Sequence, residues 1–279
     1  MTEESEAEPV VVLRGESPVV LGMPHVGTSV PPEIFRRLNA EGEVLRDADW
    51  HVDRLYEGLL PGATIVRATF HRYVIDANRD PSGASLYPGR NTTGLIPATN
   101  FDGAPIWRLG EEPDAPETAR RLARYHAAYH RALSDEIARV KARRGVAVLY
   151  DCHSIRSRIP NLFEGVLPDL NIGDNDGRTA APEIEAAARD AAAASGYSHV
   201  VNGRFKGGWT TRHHGAPEAG VHAIQMELAQ RRYLASEAPP FDYDEDRAGR
   251  LRETLRKILI AIEEVALRMS ADGRKRGAQ

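Results

Sequence analysis

Short apolar runs separated by helical patterns recur along the 279-residue chain, and this alternation constrains the fold more than any other feature. "SPVVLGMPH" reads as a strand over residues 18–23, ending at Pro24-His25. "PPEIFRRLNAEG" follows as a short helix with prolines at its start. "DADWHVDRLYEGLLPG" reads as a helix with acids in its first turn, stopped by Pro61-Gly62. "ATIVRATF" and "RYVIDAN" carry the β-branched and aromatic residues of strands. Leu122, Tyr125, Tyr129, Leu133, Ile137 and Val140 recur at helical spacing within residues 116–143. The strand "VAVLYD", the helix "APEIEAAARDAAAASG", the strands "YSHVVNG" and "VHAIQMEL", and an amphipathic helix over 244–269 complete the pattern. This predicts an α/β fold with a mixed, mostly parallel sheet and helices on both faces. One domain is expected over residues 10–270, between disordered tails at 1–9 and 271–279. The Gly-, Pro-, Asn- and Thr-rich stretch 85–115 is too long for a simple connection and reads as a functional loop.

In sheets of this kind ligands gather beyond the carboxyl ends of the strands. The unusual polar residues fall there: His25, the Asp76-Asn78-Arg79 group, His153 and Glu227. In "VLYDCHSIRS" (148–157) an apolar strand delivers a histidine flanked by an acid and arginines. Cys152 is the one cysteine, so any metal must be held by histidine and carboxylate. His25 and His153 share the same position just past a strand. A catalytic zinc site needs a third ligand and keeps one position open. Asp47, Asp49, His51 and Asp53 are the candidates. Helix capping accounts for Asp47. Asp49 and Asp53 stand four apart, on one side of the expected helix.

The other histidines read differently. His126 and His130 have i, i+4 spacing, but Ala127 stands where the H-E-x-x-H motif has glutamate. Both are read as surface residues or partners of nearby acids. His213 and His214 are expected in a Gly-rich loop, one of them touching substrate. His51, His71, His199 and His222 are read as structural. Arg79, Arg156, Arg158 and Arg212 lie in polar segments near the strand ends, which favours an acidic substrate. Glu227 stands within an apolar strand, where a carboxylate is costly unless partnered or functional. General base beside a metal is the role that fits it.

A net charge of −4 argues against a nucleic-acid binder. The acidic N-terminus lacks an apolar signal core, and no apolar run approaches the roughly 20 residues that span a bilayer. A cytoplasmic protein without membrane or nucleic-acid partners is expected. The sequence sets no oligomeric state. No Gly-rich phosphate loop with Lys-Ser or Lys-Thr is present.

The stretches "PHVGTSVP", "DADWHVDRLY", "RYVIDANRDP", "GLIP", "DCHSIRSRIPNLFEGVLPDLNIGDNDG", "VNGRFKGGWTTRHHGAPEAGVHAIQMELAQRRYL" and "PFDYDED" resemble, in colinear order over residues 17–260, the N-formylglutamate amidohydrolase (deformylase) family. The resemblance implies a fold like that of the zinc carboxypeptidases (phosphorylase/hydrolase-like) and kinship with desuccinylases and aspartoacylases. It implies one zinc ion per chain and hydrolysis of N-formyl-L-glutamate to glutamate and formate, the last step of one histidine-degradation route. Carried over by motif, His25, His153 and a carboxylate from "DADWHVD" hold the metal, with Asp49 ahead of Asp53. Thr28 stands where the carboxypeptidase His-x-x-Glu pattern has glutamate, so the acid must come from elsewhere. Glu227 and Arg156 are the expected catalytic residues. Asn78, Arg79, Arg212, Arg72 and His214 are the expected substrate-binding residues, with Arg156 or Arg212 on the γ-carboxylate. Rival readings are an N-succinyl or N-acetyl amino acid deacylase and a non-catalytic binder of acidic amino acids. Two histidines and one carboxylate also suit divalent ions other than zinc.

Overall fold

The computed structural model describes residues 8–85, 89 and 91–277. Its strands are β1 (Val10–Leu13), β2 (Val19–Met23), β3 (Thr64–Ala68), β4 (Ala147–Ile155), β5 (Leu170–Gly173), β6 (His199–Val201) and β7 (Val221–Ala229). The helices are α1 (Pro32–Phe35), α2 (Ala40–Glu43), α3 (Val52–Tyr56), α4 (Ala115–Arg121), α5 (Ala127–Arg144), α6 (Pro182–Ala193), α7 (Trp209–His214) and α8 (Glu245–Gly277). A π-helical turn, Leu122–His126, joins α4 to α5.

The strands form a single mixed sheet in the order β1-β3-β2-β4-β7-β5-β6. β3, β2, β4 and β7 run parallel, β1 is antiparallel to β3, and β5 is antiparallel to β7. Alternation along the central strands sorts side chains to two covered faces. Val148, Tyr150 and Cys152 of β4, with Ile224, Met226 and Leu228 of β7, pack against α3, α6 and α8. Ala147, Leu149 and Ala223 face the other way, against Tyr129, Leu133, Ile137 and Val140 of α5. Toward the C-terminal ends of β4 and β7, that second face changes from apolar to polar: Asp151 and His153 on β4, Gln225 and Glu227 on β7.

Several elements differ from the sequence expectation. "RYVIDAN" is buried but forms turns, with Val74 N donating to His71 O and Asp76 N to Leu95 O. Most of the expected 47–62 helix is absent. Asp47–Trp50 is a turn, His51 sits at φ 59°, and only Val52–Tyr56 is helical. The expected 31–42 helix splits into α1 and α2. β1 and β5 were not expected, and "WTTRHH" is helical rather than loop. The last helix continues beyond 269 to Gly277, across most of the expected C-terminal tail. Residues 1–7, 86–88, 90, 278 and 279, which fall in the expected tails and functional loop, lie outside the described residues. No helix among the described residues is long and apolar enough to cross a membrane.

Asp169, at the entry to β5, ties the β5–β6–β7 side of the sheet together. Its buried carboxylate accepts from Arg231, from Arg232 Nε (2.6 Å) and from Ser198 Oγ (2.8 Å). Burial pushes its pKa up, but the Arg232 and Arg231 hydrogen bonds outweigh that and hold it at about 2, below the usual 3.8. A depressed carboxylate stabilises the fold fully above its unfolded value and ceases to as pH falls through the folded one. The wild-type protein is therefore expected to lose stability as pH drops from 3.8 toward 2. Solvent around the arginines screens the effect to on the order of 1–2 kcal/mol. Denaturant titrations of wild type and Asp169→Asn across this range check it: the gap between them closes at the acid end.

Candidate active site

Three segments meet where β2, β4 and β7 end. The first follows β2: Pro24-His25 turns off the strand, and Gly27 then lies against the next segment. A Cβ on Gly27 would stand 2.2 Å from the Thr69 carbonyl carbon, so only glycine permits this approach. Asp49, in the turn before α3, donates its amide to the His25 carbonyl at 3.0 Å. That bond couples the Asp49 turn to the His25 turn. His153 stands inside β4 rather than past it, and Glu227 is its register partner on β7.

His25, Asp49 and His153 are all buried, and one ligand atom of each lies within 4.8 Å of the other two. Asp49 Oδ2 is 3.7 Å from His25 Nδ1 and 3.1 Å from His153 Nδ1. The far nitrogens point at acids. His25 Nε2 is 2.7 Å from Asp76 Oδ1, and His153 Nε2 is 3.1 Å from Asp151 Oδ1. Asp76 is fixed by the Asn78 amide and Asp151 by the Thr211 hydroxyl. Carboxylates holding the outer nitrogen of each ring turn Nδ1 of both inward; in the metal-free site His153 Nδ1 donates to Asp49, and loss of that proton would free its lone pair for a metal. Arg72 brings positive charge to this cluster: it donates to His25 Nδ1 and approaches Asp49 Oδ1 at 3.5 Å. Burial pushes Asp49 up, but the His153 hydrogen bond, with His25 and Arg72 close by, keeps it below the usual carboxylate range. Two imidazoles, oriented from behind and lining a cleft, with a buried carboxylate beside them, fit a catalytic divalent metal.

The cleft is lined by His25, His153 and Glu227 together with Arg72, Asn78, Arg79 and Arg204. Burial pushes Glu227 up to about 8; His153 pulls it down while Asp49 opposes that pull. Positive charge at the three ligands would lower it, toward where a general base is deprotonated near neutral pH. Asn78 is pressed against Gly208, where a Cβ would meet its amide at 2.2 Å. Its Oδ1 accepts from Thr210 N, so its NH₂ lies on the His153 side, 3.3 Å from Nε2. Arg79 donates to the Thr93 carbonyl and hydroxyl.

Other expected site residues lie elsewhere. Asp53 sits at the surface in an ion pair with Arg67, at 2.8 Å. Arg156 is turned toward Asp102 at 2.9 Å and does not line the cleft. Arg212 donates Nε to the Gly207 carbonyl, and Arg158 is exposed. His126 and His130 are buried rather than on the surface. His126 donates to the Arg79 carbonyl and His130 to the Ala77 carbonyl, so they brace the backbone that presents Asn78 and Arg79. His214 lies behind this pair, 3.1 Å from His130 Nδ1, away from the cleft lining. Arg204, Gln225 and the Asn91–Thr93 segment line the cleft without having been singled out from sequence. For Arg204 the signal was its place in the Gly-rich "GRFKGG".

The family model for N-formylglutamate amidohydrolase matches residues 17–234. The chain belongs to the N-formylglutamate amidohydrolase family. It is 47% identical over 248 residues to the N-formylglutamate deformylase of Pseudomonas aeruginosa, across 88% of this chain and 92% of that one. It is 42% identical over 251 residues to the N-formylglutamate deformylase of Pseudomonas putida, covering 89% and 93% of the two chains. The solved N-formylglutamate amidohydrolase from Ralstonia eutropha JMP134 superposes with a TM-score of 0.75 at 30% identity, covering 91% of this chain and 97% of that one. The Atu2144 gene product of Agrobacterium tumefaciens shares the fold, with a TM-score of 0.68 at 22% identity over 93% and 98% of the two chains. The stretch matched by the N-formylglutamate amidohydrolase model includes His25, Asp49, Asn78, Arg79, His153 and Glu227.

Proposed function

We propose that this family member hydrolyses N-formyl-L-glutamate to L-glutamate and formate, using one zinc ion held by His25, Asp49 and His153. The observation that carries the reading is the convergence of those three ligand atoms within 4.8 Å, beside Glu227, in a chain 47% identical to a curated N-formylglutamate deformylase. Zinc there would supply Lewis acidity toward the formyl oxygen and toward water. Glu227 takes the proton of the attacking water and returns it to the amide nitrogen as the C–N bond breaks. The Arg72 guanidinium, beside the ligands, offers donors to the negative charge that develops on the formyl oxygen. Its burial against Phe101, 4.9 Å from the ring centroid, keeps water from competing for those donors. Asn78 and Arg79 hold the substrate α-carboxylate through the amide NH₂ and a charged fork. Such an activity would be the last step of one histidine-degradation route.

The direct test is formate release from N-formyl-L-glutamate compared with amine release from N-acetyl- and N-succinyl-L-glutamate. The formyl substrate is expected to dominate. A preference for the succinyl or acetyl compound would make the protein a deacylase of larger acyl groups, and no turnover of any would make it a binder. Arg79→Ala is expected to raise KM for N-formyl-L-glutamate by roughly 10–100-fold with a smaller change in kcat, as loss of ground-state binding does. Steady-state kinetics check it, and an unchanged KM would remove Arg79 from the α-carboxylate site.

A further inference from the structure

We infer that Arg204, on the loop after β6, is the specificity residue that binds the distal carboxylate of the substrate. The inference rests on the deformylase reading above and deepens it. Among the described residues the cleft is lined by three cationic side chains: Arg72, Arg79 and Arg204. Arg72 is engaged at the reacting centre, against His25, Asp49 and Asp76. Arg79 adjoins Asn78. Arg204 reaches the same cleft from the opposite edge of the sheet, since β6 is the last strand beyond β7 and β5.

The spacing suits a short dicarboxylate. Arg79 is fastened to Thr93 through Nε and one terminal nitrogen. Arg204 donates a terminal nitrogen to the Asn91 carbonyl at 3.2 Å. Two guanidinium groups are thus fixed to one strap, at residues whose Cα atoms stand at most ~7 Å apart. The carboxyl carbons of an extended glutamate lie about 5 Å apart by the same bond geometry. Arg204 is also held in orientation. Its Nε donates to the Leu162 carbonyl at 3.0 Å, and its guanidinium carbon lies 5.2 Å from the centroid of the Phe205 ring. The Leu162 and Asn91 bonds and the ring contact together fix the plane of the guanidinium, which pre-organises it for a carboxylate. Leu162, Phe101 and Phe205 line the cleft beside it, lowering the local dielectric and offering apolar contact to the substrate methylenes. Arg156 and Arg212, closer in sequence to other site residues, do not line this cleft.

The same hydrogen bonds would exist if Arg204 only stapled the rim, so the test separates recognition from scaffolding. Zinc-loaded wild type, Arg204→Leu and Arg204→Gln are assayed for formate release from N-formyl-L-glutamate and N-formyl-L-norvaline. The norvaline compound keeps the chain length and replaces the distal carboxylate with a methyl group. Wild type is expected to favour the glutamate compound by about 10³-fold or more in kcat/KM, because a site built for a charged group rejects the analogue lacking it. Arg204→Leu is expected to lower kcat/KM for the glutamate compound by about 10²-fold or more, chiefly through KM, and to leave the norvaline compound within about threefold. Arg204→Gln retains a donor at the position of Nε for the Leu162 carbonyl, so it decides the matter if the leucine variant does not fold. A parallel loss on both substrates, or a glutamate preference that survives the substitutions, overturns the inference. Equal use of both substrates by wild type overturns it too while leaving deformylation intact. Failure of wild type to release formate from N-formyl-L-glutamate instead overturns the underlying function.

Discussion

Replacing Glu227 by glutamine is expected to lower kcat for formate release by about 10³-fold while the protein keeps its metal, in line with the 10²–10⁴-fold reach of a positioned general base. Glu227 is the register partner of His153 on the neighbouring parallel strand, so both side chains leave the sheet on the same face. Neither is carried on a mobile loop, and the separation between His153 and Glu227 is set by the sheet itself. Glutamine preserves the shape and can still pair with Gln225, whose Nε2 lies 3.3 Å from Glu227 Oε2. What it removes is the ability to accept a proton. Measuring kcat and metal content on the same preparation distinguishes this from a collapsed site. Near-normal turnover in Glu227→Gln would assign the proton transfer to another group.

The second large effect concerns a ligand. His153→Ala is expected to bind no zinc at stoichiometric concentration and to lose at least about 10⁴-fold in kcat/KM, since both the Lewis acid and its orienting partner are lost. It should also be less stable without metal. Asp49 is wholly buried, and the His153 imidazole hydrogen-bonds it at 3.1 Å. Removing one partner from a buried charged pair costs about 3–5 kcal/mol, because the remaining charge is left uncompensated. Asp53→Ala is the informative control: its pair with Arg67 is part-exposed, so the change should cost less than about 1 kcal/mol and leave zinc binding and turnover unaltered. Isothermal titration with zinc and chemical denaturation of both variants check these outcomes.

Sequence patterns located some of these features and missed others for identifiable physical reasons. β2, β3, β4 and β7 were legible because each is an apolar run with clear boundaries, and α5, α6 and α8 because their apolar periodicity is sustained. "RYVIDAN" misled because composition reports burial and not hydrogen bonding: its side chains are buried while its backbone pairs in turns. β5 was missed because it has four residues and buries a polar one, Asn171, which donates to the Pro168 and Glu227 carbonyls. His126 and His130 looked solvent-facing on an arginine-rich helix, but that helix turns them under the loop carrying Asn78.

The site shows the same division. His25, His153 and Glu227 could be picked out because each ends or interrupts an apolar strand. The choice of Asp49 over Asp53 depends on a non-helical turn that the capping pattern concealed, and on the left-handed conformation of His51 that ends it. Arg156 was drawn in by nearness in sequence to His153. It follows the strand on the opposite alternation, which turns it toward Asp102 and Asp47 instead of the cleft. Arg204 enters the cleft only because β6 lies at the sheet edge, a fact of strand order that no local pattern encodes.

Hydrolysis is proposed to depend on a divalent cation bound jointly by His25, Asp49 and His153. The most direct test strips the purified protein with a chelator, returns zinc in measured steps, and follows bound metal and formate release from N-formyl-L-glutamate together. Activity is expected to vanish on stripping and to return in proportion to zinc, saturating at one ion per chain, with no return in His153→Ala. Full turnover by the metal-free protein, or unchanged zinc binding and turnover in His153→Ala, would contradict it.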